Sequence, residues 1–132
     1  GRGILPGGLE MAHEQISSLA DQPSDVQIEL LQQTVSDIHK LLELYDQMIA
    51  AWLSGDEAEM ESVFLDELKT FPSVYNRLFL HRNQNWVPKL IAKLNEPGVH
   101  FVAVGAAHLV GDNSVVAMLR ARGYDVPRVD SQ

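Results

Sequence analysis

A histidine at the end of a short glycine- and alanine-rich turn is the best-placed candidate for chemistry in this sequence. His108 closes the run Gly105-Ala106-Ala107-His108, which lies between an apolar segment and a helical pattern. Ligands gather where the strands of α/β proteins end, and small residues let the backbone turn sharply there. An imidazole in that position can bind a metal or transfer a proton near neutral pH. The spacing alone leaves two alternatives open, a site histidine and an ordinary loop histidine.

The elements around His108 predict a small unit of strand, helix and strand. Val99 and residues 101–104 form a short apolar, β-branched run that is typical of a buried strand. A helical pattern then leads to Gly123, a good helix stop, and residues 124–129 can form a final strand. Such a unit usually belongs to a larger sheet. Because the preceding residues are nearly all helical, we predict an α+β fold that is predominantly helical and has an incomplete sheet.

The longest predicted helix begins at Ser24 or Asp25 and runs to about Leu53. Its apolar positions step by three and four without a break: Ile28, Leu31, Val35, Ile38, Leu42, Tyr45, Ile49 and Trp52. One interpretation is a helix packed along the body of its own domain, with Tyr45 and Trp52 in the core. The other is a coiled-coil-like contact with a second chain. The pattern does not choose between them.

Shorter helices are predicted after this one. Asp56 and Glu59 could form a capping box for a helix that buries Met60, Val63, Phe64 and Leu68. Pro72 suits the first turn of another helix. A further helix is predicted from residues 83–85, with Pro88 close to its start and Trp86 in the core.

Composition narrows the class of protein. The 132 residues fit a single domain. The formal net charge of −8 argues against a nucleic-acid partner, because a negatively charged surface repels phosphates. The absence of cysteine excludes disulfides, thiol catalysis and thiolate zinc sites. The sequence contains no run of about 18 apolar residues, so it predicts no membrane-spanning segment.

Three stretches, in order along the chain, resemble the TraB/GumN (Tiki-like) family. Residues 101–111 and 116–126 are similar to the family's closing segment, a hydrophobic strand, Gly-Ala-x-His-Leu, a Gly turn and a helix ending in Gly-Tyr. Residues 82–86, Arg-Asn-Gln-Asn-Trp, are similar to its Arg-Asn segment ahead of a tryptophan. Residues 8–10 are similar to its Gly-Leu-Glu segment. The resemblance runs nearly from end to end, in the expected order.

This resemblance implies a fold related to erythromycin esterase and the haem-binding ChaN proteins, with helices around a sheet. Tiki members are described as metal-dependent proteases whose site combines two GxxH motifs with a glutamate and an arginine. By this resemblance, His108 and Glu10 are candidate metal ligands, and His108, Glu10 and Arg82 are candidate catalytic residues, with Gly105 and Asn83 as further motif residues. The implied cofactor is a divalent metal, namely Mn, Co or Zn. The resemblance favours a periplasmic or secreted location.

One departure from the family limits this interpretation. The chain has a single GxxH, and in the family the first copy lies upstream of the Gly-Leu-Glu segment. We therefore expect residues 1–132 to be a single incomplete domain, the C-terminal portion of a family protein, inactive alone. Exposed apolar surface and open strand edges would then favour a homodimer or a swapped assembly.

Alternatives remain for the individual residues and for the function. Glu10 could be a solvated carboxylate near a helix start, and Arg82 could pair with a surface acid. The other histidines, His13, His39, His81 and His100, show no ligand spacing and are expected at the surface or an interface. The leading functional hypothesis is a fragment of a metal-dependent hydrolase acting on peptides. The alternative is a non-catalytic protein that sequesters a peptide or small ligand, since the family includes members linked to peptide-pheromone shutdown.

Overall fold

The computed structural model describes residues 6–129, apart from the side chain of Leu41, and most of them are helical. The helices are α1 (Ala12–Ala20), α2 (Ser24–Ser36), α3 (Leu41–Ser54), α4 (Glu57–Glu61), α5 (Glu67–Lys69), α6 (Pro72–Tyr75), α7 (His81–Leu94) and α8 (Val115–Arg120). Two 3₁₀ turns (Ile38–Lys40 and Ala106–His108) and two π-helical turns (Ser62–Asp66 and Asn76–Leu80) lie between them. The prediction of a predominantly helical chain is confirmed. Within residues 6–129, no helix is long and apolar enough to cross a membrane.

The predicted strand–helix–strand unit is wrong for the described part of the chain. Helix α8 forms, capped by Ser114, whose Oγ accepts a hydrogen bond from the Ala117 amide at 3.0 Å. Residues 99–104 and 124–129 are irregular, and residues 6–129 contain no strand. A strand exists only where a neighbouring strand pairs with its backbone. Val99 and Phe101 are 99% and 93% exposed, so the segment expected to be a buried strand has no partner among the described residues.

The long helix expected from Ser24 or Asp25 to Leu53 is interrupted once. Helix α2 ends at Ser36, Asp37 leaves helical geometry at φ −96° and ψ 7°, and a 3₁₀ turn leads into α3. Lys40 Nζ lies 2.9 Å from Asp37 Oδ1 across this turn. The break turns one long helix into two shorter ones.

The apolar stripe on α2 and α3 faces outward. We call the following exposed residues the outer apolar face: Ile28, Leu31, Val35, Ile38, Leu42, Tyr45, Ile49 and Trp52. Within residues 6–129 the stripe does not pack along the body of the domain, and Tyr45 and Trp52, both 61% exposed, do not lie in the core as expected. The periodicity defines the stripe but does not show which surface covers it.

The middle of the chain forms two longer helical stretches. Asp56 caps the first, because its Oδ1 accepts hydrogen bonds from the amides of Ala58 and Glu59 at 2.9 and 3.0 Å. The second begins at Pro72, as predicted, and runs without interruption through the π turn to Leu94, so the helix predicted from residues 83–85 is its continuation and not a separate element. Pro88 consequently lies inside the helix and not near its start. We call residues 72–94 the site helix.

The buried apolar residues form two small clusters, each of which includes residues of the site helix. One joins α7 to α8 and consists of Trp86, Val87, Leu90, Val115 and Leu119. The other consists of Leu65, Tyr75 and Val110. Four residues that were expected to be buried are only half-buried, namely Met60, Val63, Phe64 and Leu68. Of these, Met60 and Phe64 pack against the second cluster. The packing thus brings the turn that contains His108 against the site helix.

Leu65 provides a test of this packing. The Leu65 side chain is only 2% exposed, so Leu65→Ala should lower the free energy of unfolding by about 2–5 kcal/mol through lost burial and a residual cavity. Leu94, at the end of α7, is 58% exposed, and Leu94→Ala should change it by less than about 0.5 kcal/mol. Urea unfolding followed by circular dichroism measures both. Equal effects of the two substitutions would contradict the assigned core.

Candidate functional site

Glu10 and Arg82 form a two-point ion pair between the start of the chain and the site helix. Arg82 Nη2 lies 2.6 Å from Glu10 Oε1, and Arg82 Nε donates to Glu10 Oε2 at 3.0 Å. Arg82 Nη1 also donates to the carbonyl of Leu78 at 3.1 Å, which fixes the guanidinium on its own helix. The Arg82 and Glu10 side chains are 17% and 18% exposed. This parallel geometry is the strongest form of the arginine–carboxylate interaction, and partial burial protects it from water.

Trp86 completes the environment of the Glu10 carboxylate. Its Nε1 donates to Glu10 Oε2 at 3.2 Å, and its ring centroid lies 4.9 Å from Arg82 Cζ, a cation–π contact. Burial alone would raise the pKa of Glu10, but the hydrogen bonds and charge of Arg82, the Trp86 hydrogen bond and the proximity of His108 together lower it. Glu10 is therefore a carboxylate at neutral pH, held by three hydrogen bonds from the side chains of Arg82 and Trp86.

His108 is buried against the same tryptophan. The 3₁₀ turn Ala106–His108, closed by the His108 amide on the Gly105 carbonyl at 2.9 Å, brings the ring under the site helix. The ring centroid lies 4.5 Å from that of Trp86 and 5.0 Å from that of Phe79, and Nδ1 lies 2.6 Å from Asn83 Oδ1. Only 5% of His108 is exposed.

The surroundings of His108 keep it neutral. Burial and, secondarily, the positive charge of Arg82 lower its pKa to about 4, while the negative charge of Glu10 acts in the opposite direction. Desolvation penalises the imidazolium because its charge loses water. A neutral imidazole has one unprotonated ring nitrogen, which can accept a proton or bind a metal.

The structure brings the predicted site residues together. Glu10 contacts Arg82, Asn83 contacts His108, and Trp86 touches both pairs. Gly105 is different, because its φ of −61° is ordinary and a Cβ there would lie 3.8 Å from His108 Cδ2, a normal contact. Its small size is therefore not required by the described residues. His13, His39, His81 and His100, the other histidines, are all exposed, as expected.

Geometry decides between the alternatives for two of these residues. Glu10 is not a solvated carboxylate, since it is mostly buried beneath Arg82 and Trp86. Arg82 does pair with an acid, but that acid is Glu10, another predicted site residue, and the pair is largely shielded from solvent.

Sequence reasoning missed three residues of the site. Phe79 and Trp86 enclose the His108 ring, and Asn113 joins Asn83 to Tyr75, because Asn113 Nδ2 donates to the Tyr75 hydroxyl at 3.3 Å. The sequence pattern assigns Trp86 to the core alone. Phe79, Asn83 and Trp86 are spaced by four and three, so they share one helix face. That signal is present in the sequence, but the predicted helix begins only at residues 83–85.

Gly111 shapes the loop between His108 and α8. Its φ of +82° is a left-handed conformation, and a Cβ there would come within 2.7 Å of the Glu61 carboxylate. Glycine meets both constraints. The loop that carries Asn113 can therefore pass close to the end of α4.

A polar cleft lies beside the ion pair, between α1 and the site helix. Its volume is about 230 Å³, and it reaches Glu10, Arg82 and Trp86. A larger groove of about 500 Å³ lies elsewhere, between α2 and α3 on one side and residues 63–71 on the other. The larger groove contains none of the predicted site residues, whereas the smaller cleft is lined by Glu10 and Arg82 but not by the buried His108.

The described residues offer only part of a metal site. Residues 6–129 contain no group of three or more His, Cys, Asp or Glu side chains arranged to hold a metal ion. His108 could supply one nitrogen ligand. Glu10 could supply an oxygen ligand, although Arg82 and Trp86 already occupy its carboxylate. The chemistry of this donor pair suits a divalent cation, but further ligands would have to come from elsewhere.

Comparison with known proteins agrees with the motifs. The sequence model of the TraB/PrgY/gumN family matches residues 2–128. The chain is 35% identical over 112 residues to the uncharacterized protein YbaP of Escherichia coli K12, and the alignment covers 85% of this chain and 40% of YbaP. The YbaP of Shigella flexneri matches with the same identity and coverage. No solved structure matches the chain.

The chain therefore belongs to the TraB/PrgY/gumN family. It spans about two fifths of the length of the two curated relatives that it matches.

The low pKa of His108 makes the stability of the fold depend on pH. In the unfolded chain His108 has a pKa near 6.5 and binds a proton as the pH falls below that value. In the folded chain its pKa is about 4, so it stays unprotonated until the pH approaches 4. Stability should thus be lost as the pH falls from 6.5 to 4, by roughly 2–3 kcal/mol. The lowered pKa of Glu10 acts in the same direction, but only as the pH falls below about 4.5.

Urea unfolding at several pH values measures this dependence. His108→Gln should flatten the change between pH 6.5 and 4.5, whereas His39→Gln, which replaces an exposed histidine, should retain the wild-type profile. An unchanged slope in His108→Gln would contradict the assigned environment of His108.

Proposed function

We propose that this chain supplies one side of the active site of a metal-dependent hydrolase that acts on peptides. The observation that carries this proposal is the cluster itself, a neutral buried histidine beside an ionised glutamate that an arginine holds in place. Neutral imidazole and carboxylate are the protein groups that bind catalytic divalent metals and share general acid–base work. Family membership supports the proposal, although the curated relatives are themselves uncharacterized.

In this proposal each side chain has a distinct task. His108 binds the metal through its unprotonated ring nitrogen, and Glu10 either contributes an oxygen ligand or accepts a proton. Arg82 orients the Glu10 carboxylate, and it can stabilise negative charge that develops on a substrate oxygen. A bound Mn, Co or Zn ion would activate water and polarise the scissile carbonyl group.

The proposal also includes the remainder of the domain. We infer that the complete protein has an upstream part which carries the first GxxH and the remaining ligands, as the family resemblance implies. The match to only 40% of the length of the curated relatives supports a longer protein. In an α/β fold of the erythromycin esterase and ChaN type, residues 99–104 would pair with strands of that part. The described residues alone provide too few ligands for turnover, so the isolated chain is expected to be inactive.

Substitution of His108 in the full-length protein tests this function. His108→Ala should abolish both the binding of Mn, Co or Zn and the cleavage of peptides, because it removes a ligand. Calorimetric titration with each metal and chromatography of a peptide mixture provide the two measurements. His39→Ala, which replaces an exposed histidine in the 3₁₀ turn between α2 and α3, is the matched control. Undiminished metal binding and cleavage in His108→Ala would refute the proposal.

A second candidate is a non-catalytic protein that binds a peptide or small ligand without cleaving it. The polar cleft beside Glu10 and Arg82 favours this candidate, because a ligand there would meet a carboxylate that is already fully paired. A peptide that is retained by metal-loaded full-length protein and recovered intact after long incubation would support sequestration. Cleavage of the retained peptide would support the hydrolase.

We further propose that the isolated chain forms a homodimer through the outer apolar face. All eight residues of this face are exposed, and a set of exposed large apolar side chains along neighbouring helices is typical of a contact with another protein. A second copy offers the same face, so two stripes can pack together in the manner of a coiled coil. In the full-length protein, the upstream part could cover this face instead.

Leu42→Glu tests the dimer. Leu42 is 78% exposed at the middle of the face, so an added carboxylate should weaken association without disturbing the core. Gln84→Glu adds the same charge on an exposed position of α7 and should leave the dimer intact. Light scattering coupled to gel filtration should find a dimer for the wild type and Gln84→Glu, and a monomer for Leu42→Glu. A wild-type monomer at high concentration would exclude the dimer.

A further inference from the structure

The side-chain amide of Asn83 lies between two groups that differ in their hydrogen-bonding ability. Asn83 Nδ2 donates to the backbone carbonyl of Asn113 at 2.7 Å, and Asn83 Oδ1 lies 2.6 Å from His108 Nδ1. Asn83 is only 2% exposed, so water cannot readily replace either partner. The amide is thus a buried link between the site helix, the loop before α8 and the histidine turn.

The chemistry of these partners determines the direction of each hydrogen bond. A backbone carbonyl only accepts, so the nitrogen of the Asn83 amide must face Asn113. The oxygen of the same amide then faces His108, and it also only accepts. His108 Nδ1 must therefore carry the proton and donate it. In the neutral ring, Nε2 is left unprotonated.

Other contacts prevent the arrangement from reversing. The side chain of Asn113 donates to the Tyr75 hydroxyl, which holds the residue whose carbonyl orients the Asn83 amide. Trp86 and Phe79 lie against the His108 ring, with centroids at 4.5 and 5.0 Å. A ring flip would place a carbon opposite Asn83 Oδ1 and leave a buried polar atom without a partner, which costs about 1–3 kcal/mol.

We propose that Asn83 is a positioning residue that keeps the His108 proton on Nδ1 and presents the lone pair of Nε2 as the reactive atom. The assignment of the proton follows from the hydrogen bonds alone. What Nε2 then does, as a metal ligand or a base, rests on the proposed function. Partners of this kind generally set the tautomer and the orientation of a metal-binding histidine.

Nitrogen NMR of the isolated ¹⁵N-labelled chain at pH 8 tests the assignment. Two-bond ¹H–¹⁵N correlations distinguish the protonated from the unprotonated ring nitrogen of each histidine. His108→Gln identifies the signals of His108. The wild type should show a protonated Nδ1 and an unprotonated Nε2. A wild-type His108 with its proton on Nε2 would overturn the proposal.

Substitutions of Asn83 test its role in this preference. Asn83→Ala removes the acceptor, so a substantial fraction of the His108 proton should move to Nε2, which neutral imidazole prefers in water. Asn83→Asp keeps an oxygen opposite Nδ1, so Nδ1 should remain protonated. Asn85→Ala makes the same side-chain truncation at an exposed position of α7 and should leave the spectrum of His108 unchanged. A folded Asn83→Ala chain with the wild-type tautomer, or an Asn83→Asp chain with an unprotonated Nδ1, would overturn the proposal.

Metal titration of the full-length protein separates this proposal from the proposed function. If the full-length protein binds no Mn, Co or Zn but His108 is protonated on Nδ1, the hydrolase proposal fails and the role of Asn83 stands. If His108 binds metal but the apo protein carries its proton on Nε2, the role of Asn83 fails and the hydrolase proposal stands.

Discussion

The ion pair between Glu10 and Arg82 joins parts of the chain that are 72 residues apart in sequence. Helix α1 buries none of its own residues, so the segment before it depends on contacts with the site helix for its position. Besides the ion pair, these contacts include the hydrogen bonds of Trp86 to Glu10 and of Lys89 to the Leu9 carbonyl, and the packing of the Leu9 side chain against the cluster between α7 and α8. The same pair sets the charge around His108, because Arg82 disfavours the imidazolium and Glu10 favours it. Glu10 comes from the segment before α1, so that segment supplies one of the two charges that act on His108.

The residues of the site could be predicted from sequence because the resemblance supplied their order along the chain. Glu10, the adjacent residues Arg82 and Asn83, and His108 lie in three separate parts of the sequence, and no periodicity relates these parts. Their common location depends on the packing of α7 against α8 and on the turn at Ala106–His108. Local patterns could not show that Trp86 is both a core residue and a partner of Glu10 and His108. A tryptophan on an apolar stripe gives the same signal in either case.

The fold was predicted less well, for two physical reasons. Apolar periodicity identifies a stripe but not the surface that covers it, so the exposed positions of Leu42 and Trp52 could not be foreseen. Strand formation depends on a partner that is often distant in sequence, and β-branched residues such as Val99 and Val102 remain irregular where the described residues provide none. Helix ends were better defined, because Asp56 and Gly123 act locally on their own helices.

The most direct test of the assembled site is a double-mutant cycle on Glu10 and Arg82. The free energy of unfolding is measured for the wild type, Glu10→Gln, Arg82→Gln and the double variant at pH 7. Because the two side chains are in direct contact and mostly buried, we predict a coupling energy between about 0.5 and 3 kcal/mol. A coupling energy of zero would show that Glu10 and Arg82 do not interact in the folded chain, and would contradict the ion pair on which the assembly of Glu10, Arg82 and His108 into one site depends.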